Sequence, residues 1–298
     1  AVLLAGVLDE TTTRPALRQE AAGAILKISG GDPTQIARQS LSWAQAALGN
    51  DDWLVRQSAT AVLADLDSDQ AVPLLARALE DEQREVRRSA ATALGQKTVR
   101  SALYALRTTL SDAEPEVRQA GLRAMANLLG TLGAVGSRVT DDQTKARLQQ
   151  LVEGGSPEEQ VVASATLLRL GDEAQRERLQ SVLAAPDPIL RKLLVETIPS
   201  DEGLLKQAVA DSEQSVRFMA ARRLAALNKP EAASALREAV TSGGVDGLIA
   251  YSLLKKLGEQ VAMPTGLAGL LGRDAATSLA VLDIVSGMPV SEALPLLN

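Results

Sequence analysis

Histidine and cysteine are both missing from this 298-residue chain. Their absence removes Ser-His-Asp and Cys-His nucleophilic catalysis and any His or Cys metal cage. Acid–base chemistry would fall to carboxylates, Lys or Tyr. Without cysteine there is no disulfide, and the redox compartment is not legible. Aromatics are scarce: two Trp, two Tyr and one Phe. A core must therefore be built from Ala, Leu and Val, which favours closely approaching helices; Ala and Leu are also strong helix formers. Runs of β-branched residues are lacking, so helix without sheet is expected. The apolar opening, Ala1 to Leu8, is too short to cross a bilayer and has no basic segment before it, unlike a secretory leader. No membrane insertion is expected, and a cytoplasmic location is favoured. Basic residues do not outnumber acidic ones. The formal charge is −6, which argues against general nucleic-acid binding.

What is present is a repeat. Asp52-Trp-Leu-Val-Arg-Gln-Ser-Ala, Gln83-Arg-Glu-Val-Arg-Arg-Ser-Ala and Glu114-Pro-Glu-Val-Arg-Gln-Ala-Gly align without gaps. Their Val-Arg pairs, Val55-Arg56, Val86-Arg87 and Val117-Arg118, are 31 residues apart. An apolar residue follows eight positions on in each: Leu63, Leu94 and Met125. The frame extends outward through Leu17-Arg18, Leu190-Arg191 and Val216-Arg217. It continues with the Arg lost at Val162-Ala163 and Ile249-Ala250, and in a weaker copy near Ala276. Self-similarity at such a period marks a solenoid in which each unit buries its apolar side against its neighbours. The expected fold is all-α: a right-handed α-α superhelix of about nine helix pairs forming one array over residues 1–298.

The pairs are expected at 34–48 with 52–65, 70–80 with 83–95, 98–110 with 114–129 and 141–153 with 157–170. They go on at 173–184 with 187–198, 201–210 with 214–227, 230–241 with 244–257 and 261–271 with 274–286. An earlier pair ends near Ile28. Gly130 to Gly136 interrupts the pattern, and an irregular glycine-rich loop is expected near 130–140. Such arrays need end repeats with a polar outer face, and neither Ala1-Val-Leu-Leu nor Leu294-Pro-Leu-Leu-Asn298 supplies one. The expectation is a piece of a longer chain, or ends covered by further repeats or another chain.

Asp81, Asp112 and Asp211 each stand six residues before an Arg: Arg87, Arg118 and Arg217. An acceptor there can cap the second helix of a pair, or bridge to the Arg of a neighbouring repeat and build a polar ladder. The second helices also carry most of the paired basic residues. Arg56, Arg87, Arg88, Arg118, Arg191, Arg217 and Arg222 are therefore the candidates for a binding face, suited to a protein or peptide partner of acidic character. The competing reading commits the first Arg of each pair to the ladder and leaves the others as a solvated face. Trp43, Trp53, Tyr104, Phe218 and Tyr251 are read as packing residues. Asp65, Asp67 and Asp69 alternate as in a calcium loop, but Gln70 replaces the required Gly. Ser252-Leu-Leu-Lys255 lacks the companion motifs of the Ser-x-x-Lys enzymes. No cofactor or metal is expected.

The unit Asp81…Val86-Arg87…Ala90…Leu94-Gly95 resembles the HEAT repeat, most closely its short bacterial form found in phycobilisome-lyase-like proteins. The resemblance runs over roughly the whole chain and is strongest over 51–130. It implies antiparallel helix pairs whose second helices line a concave face, with the motif's Asp and Arg structural. For function it implies a scaffold or adaptor that binds protein. The alternatives are a bilin lyase or chaperone and, against the acidic balance, a nucleic-acid binder. An iron-dependent hydroxylase on this repeat needs His ligands and is excluded.

Overall fold

The computed structural model describes residues 33–66, 69–132, 141–198 and 200–262, together with 278, 281, 282, 285 and 286; of 33–36 it describes the backbone only. The expected pair ending at Ile28, Asp67, residues 133–140 and most of the last expected pair lie outside the described residues.

Every described element is helical. The helices are α1 Pro33–Ala47, α2 Trp53–Asp65, α3 Ala71–Ala78, α4 Arg84–Leu94, α5 Arg100–Leu106, α6 Pro115–Leu132, α7 Asp142–Gly154 and α8 Pro157–Arg169. They continue with α9 Gln175–Leu183, α10 Pro188–Thr197, α11 Glu202–Ala208, α12 Gln214–Ala226, α13 Ala233–Ser242 and α14 Gly244–Lys256. A 3₁₀ turn, Arg107–Ser111, extends α5, and another, Pro230–Ala232, precedes α13. Odd and even helices alternate as the first and second members of pairs, an all-α solenoid arrangement.

Local chemistry sets the ends. Asp52, Asp187 and Asp201 accept a backbone N–H of the helix each precedes, at 2.9, 2.8 and 3.0 Å. Ser156 and Glu159 form a reciprocal capping box at α8. At the end of α12, Asn228 adopts a φ of 54°, and the Lys229 N–H closes back on the Leu224 carbonyl at 2.9 Å. That is a left-handed terminus of the kind Asn tolerates.

The chain divides into two compact units, one ending at Arg178 and the other beginning at Leu179. In the first, α2, α4, α6 and α8 pack successively, each also against its own first helix. In the second, α10, α12 and α14 pack successively, and α12 and α14 also pack against their own first helices, α11 and α13. The repeat's apolar positions meet in these cores: Leu63, Leu94, Met125 and Leu224 are fully buried, as are Val86, Val117 and Val216. Burying one such side chain contributes roughly 1.5–3 kcal/mol, so the frame is upheld by repetition rather than by any single contact.

Small residues set the closeness of approach. The position three after the repeat's Arg holds Ala59, Ala90 and Gly121 in the three aligned copies, and the two alanines are fully buried. Gly121 occurs where Thr109 presses on α6: a Cβ there would lie 1.8 Å from Thr109 Oγ1. Gly130, Thr131 and Leu132, inside the expected irregular stretch, are helical as the end of α6. Arg169 supplies a reason. Its guanidinium lies where a Cβ on Gly130 would be, 2.7 Å away, and it donates to the Ala126 carbonyl. The glycine makes room for a cation over the end of the helix.

Candidate functional site

The turns between paired helices carry a polar structure that repeats from unit to unit. Arg56, on α2, uses all five of its guanidinium donors. Nη1 donates to the carbonyls of Asn50 and Asp51 at 2.9 and 3.0 Å, in its own repeat's turn. Nε and Nη2 grip Asp81 in the next repeat at 2.7 and 2.9 Å, and Nη2 also reaches Glu82. Arg87 repeats the arrangement one unit on. Its Nη1 holds the carbonyls of Asp81 and Glu82, and its Nε and Nη2 grip Asp112 at 2.7 and 2.9 Å. Each Asp thus serves two arginines: its carboxylate takes the one before, and its carbonyl takes its own. The carboxylate also accepts the N–H two residues on, Gln83 for Asp81 and Glu114 for Asp112, both at 2.9 Å.

The chain of bonds continues with altered partners. Arg118 keeps the carbonyls of Asp112 and Ala113, but its Nε finds Glu159 at 2.7 Å. Glu159 lies 41 residues away, in the capping box of α8. In the second unit Arg191 binds the carbonyls of Ala185 and Pro186 and grips Asp211 at 2.7 and 2.9 Å. Arg217 binds the carbonyls of Asp211 and Ser212 and closes on Glu238.

The electrostatics follow. For Asp81, Asp112 and Asp211, burial pushes the carboxyl upward. The bond from the gripping Arg, the backbone N–H and the Arg charges outweigh it, and all three are held below the usual carboxylate range. Arg56, Arg87, Arg191 and Arg217 are raised, chiefly by the bond to their carboxylates. At the far end of the helices the stitching differs. Lys97, buried, donates Nζ to the Ala64 and Leu66 carbonyls at 2.7 and 2.6 Å, closing the C-terminus of α2 with a positive charge. Arg147 holds the Leu110 carbonyl at 2.9 Å and Arg178 that of Val152 at 3.1 Å.

These bonds sort the sequence candidates. Arg56, Arg87, Arg118, Arg191 and Arg217 all spend their Nη1 donors on carbonyls at the turns and their Nε donors on a carboxylate. Arg88 and Arg222 are exposed, the latter 5.7 Å over the Phe218 ring. Arg88 lines a groove of about 480 Å³ between α4 and α6, with Thr92, Gln96, Glu116, Gln119, Arg123 and Asn127. The sequence shows Arg123 only as one of many basic residues. Phe218 and Tyr251 are buried, whereas Tyr104 is 45% exposed, because it sits on the outward side of α5 with Arg107 stacked 4.7 Å over it. That ring belongs to a second groove, also about 480 Å³, between α5 and α7. Ser252 and Lys255 lie inside α14 as ordinary helical residues.

Comparison with known proteins agrees with a helical-repeat fold. The family model described as HEAT repeats matches residues 40–126, and that described as PBS lyase HEAT-like repeat matches residues 216–242. Among curated proteins none matches the sequence. Among solved structures, the complex of CpcE and CpcF of phycocyanin lyase from Nostoc sp. PCC7120 is similar at 21% identity and a TM-score of 0.54, over 86% of this chain and 94% of that one. Human deoxyhypusine hydroxylase in complex with glycerol aligns at 20% identity with a TM-score of 0.36, over 86% of this chain and 95% of that one. Among the described residues no group of His, Cys, Asp and Glu is placed to hold a metal, and no helix is long and apolar enough to cross a membrane.

Proposed function

We propose that this protein, a member of the HEAT-repeat family with PBS-lyase-like repeats, is a non-enzymatic scaffold that binds a protein partner along the face of its second helices. One observation carries the reading. The ladder takes up the motif arginines, and what remains on α4 and α6 is an open polar groove. The guanidiniums of its two cations, Arg88 and Arg123, form no salt bridge with a described residue, and that of Arg88 acts on Glu85 only through its charge. Rigid stacked helices present such side chains without a backbone ordering cost, so that only side-chain rotamer freedom is lost, and affinity accrues from many modest contacts. The similar Nostoc structure is of a complex of two proteins, which supports a protein as the partner.

A photo-crosslinking amino acid placed at Thr92 or Gln119, on the second-helix face, should capture one defined protein in the source cells. The same group at Gln143, in the groove between α5 and α7, should not. Capture at Gln143 alone, or at none of the three, overturns the reading.

A second reading is a bilin lyase or chaperone, supported by the PBS-lyase-like repeat and the likeness to the phycocyanin-lyase structure. A tetrapyrrole site needs an apolar cleft bearing aromatic groups. The α4–α6 groove is lined mainly by polar side chains and has no aromatic one, which weighs against it. Mixing the protein with a free bilin decides: a shifted and sharpened visible absorption band revives this reading, and an unchanged spectrum removes it.

A further inference from the structure

We infer that the α4–α6 groove takes an acidic segment of the partner, with Arg88 and Arg123 as its carboxylate-binding residues; this rests on the second-helix face being the interface. Arg88 is the residue after the ladder arginine of α4, and Arg123 lies five beyond that of α6. Both line one groove of about 480 Å³. Neither forms a salt bridge among the described residues, the Arg88 charge reaching Glu85 only at longer range, whereas the neighbouring Arg87 is committed to Asp112 at 2.7 Å. An anionic occupant would be attracted by both cations at once.

The spacing sets the ligand's form. Adjacent packed helices are about 8–10 Å apart, and a four-residue offset along a helix adds about 6 Å. A segment in the polyproline conformation advances about 3.1 Å per residue with three residues per turn, so carboxylates three residues apart share one face and reach the two guanidiniums. The amides of Gln96, Gln119 and Asn127 line the same space and offer donors and acceptors to the segment's backbone. Glu116 lines it too. Its charge disfavours a uniform polyanion, as does the net charge of −6. A protein segment with discrete acidic side chains is therefore the occupant, rather than a nucleic-acid backbone.

The test uses the whole chain and fluorescence anisotropy. The probe is a labelled twelve-residue Gly-Ser peptide carrying Glu at every third position; its Gln counterpart and a twelve-nucleotide single-stranded RNA are the comparisons. The Glu peptide should bind at least about tenfold more tightly than either. Arg88→Glu and Arg123→Glu should each raise its Kd about tenfold or more, the order expected for losing a hydrogen bond to a charged group. Arg100→Glu makes the same charge change on α5, away from the groove, and should leave the Kd within about twofold. Unchanged urea midpoints in all three variants would assign the loss to the groove rather than to unfolding. Equal binding of the Glu and Gln peptides, tighter binding of RNA, or indifference to both groove substitutions overturns the inference. If crosslinking from Thr92 and Gln119 succeeds while the Glu peptide fails, the interface stands and the acidic specificity is wrong.

Discussion

Two rungs of the ladder end on glutamate, one in each unit, and they end in different surroundings. Arg118 closes on Glu159, whose side chain is 1% exposed, while Arg217 closes on Glu238, 43% exposed. The arginines are seated alike, each with Nη1 on two carbonyls of its own turn. The carboxylates are not. Glu159 belongs to α8, which is buried continuously from Val161 to Leu168, and it also accepts the Ser156 N–H at 2.8 Å. Glu238 reaches across the surface from α13. The same pairing therefore has two energetic meanings. A buried pair cannot lose a member without stranding a charge, whereas an exposed pair exchanges its partner for water at little cost.

Substitutions test that contrast, in descending order of expected effect. Glu159→Ala removes the counter-charge of Arg118 and half of the α8 capping box together. It should lower stability by about 3 kcal/mol or more, read as a drop in the urea midpoint. Asp112→Ala removes both bonds to Arg87 and the acceptor for the Glu114 N–H, and should cost about 2 kcal/mol. Glu238→Ala should leave the midpoint within experimental error. An equal loss from Glu238→Ala and Glu159→Ala would break the comparison, since burial would then not be what separates the rungs.

Acid provides a further check on the aspartate rungs. Asp81, Asp112 and Asp211 are held below the usual range in the folded protein, so below about pH 4 the unfolded chain binds more protons than the folded one. Their contribution is complete above that pH and is lost as pH falls through the lower folded-state values. The urea midpoint should therefore decline between about pH 4 and pH 2. Asp112→Asn should start less stable and decline less steeply, because one titrating rung is gone. An identical slope in the variant would remove Asp112 from the acid response.

Much of the architecture was legible along the chain. The Val-Arg frame located the second helices α2, α4, α6, α10 and α12, and the Asp six residues before the next Arg marked the turns. The direction of the Asp side chain was not legible. Its carboxylate turns back to the previous repeat while its carbonyl serves its own Arg, and both choices are compatible with the same spacing. Glu159 and Glu238 lie outside the register that links Asp81 to Arg56. The Ser156-Pro-Glu-Glu159 capping pattern was the only local sign of the first, and nothing local marks the second. Lys97 offered no signal either, because its partners are backbone carbonyls of another repeat.

By itself the sequence determined that helices would form in pairs and shelter one another. Ala- and Leu-rich amphipathic segments recurring at a set interval have no lower-energy way to leave water. Tertiary structure decided which charges are committed and which are free. A guanidinium meets whatever acceptor packing brings within 3 Å, and that distance is set by helices whose sequence positions differ by 20 to 41 residues. Arg87 and Arg88 are neighbours in the chain, yet the rotation of about 100° per helical residue turns one toward Asp112 and the other toward an open groove.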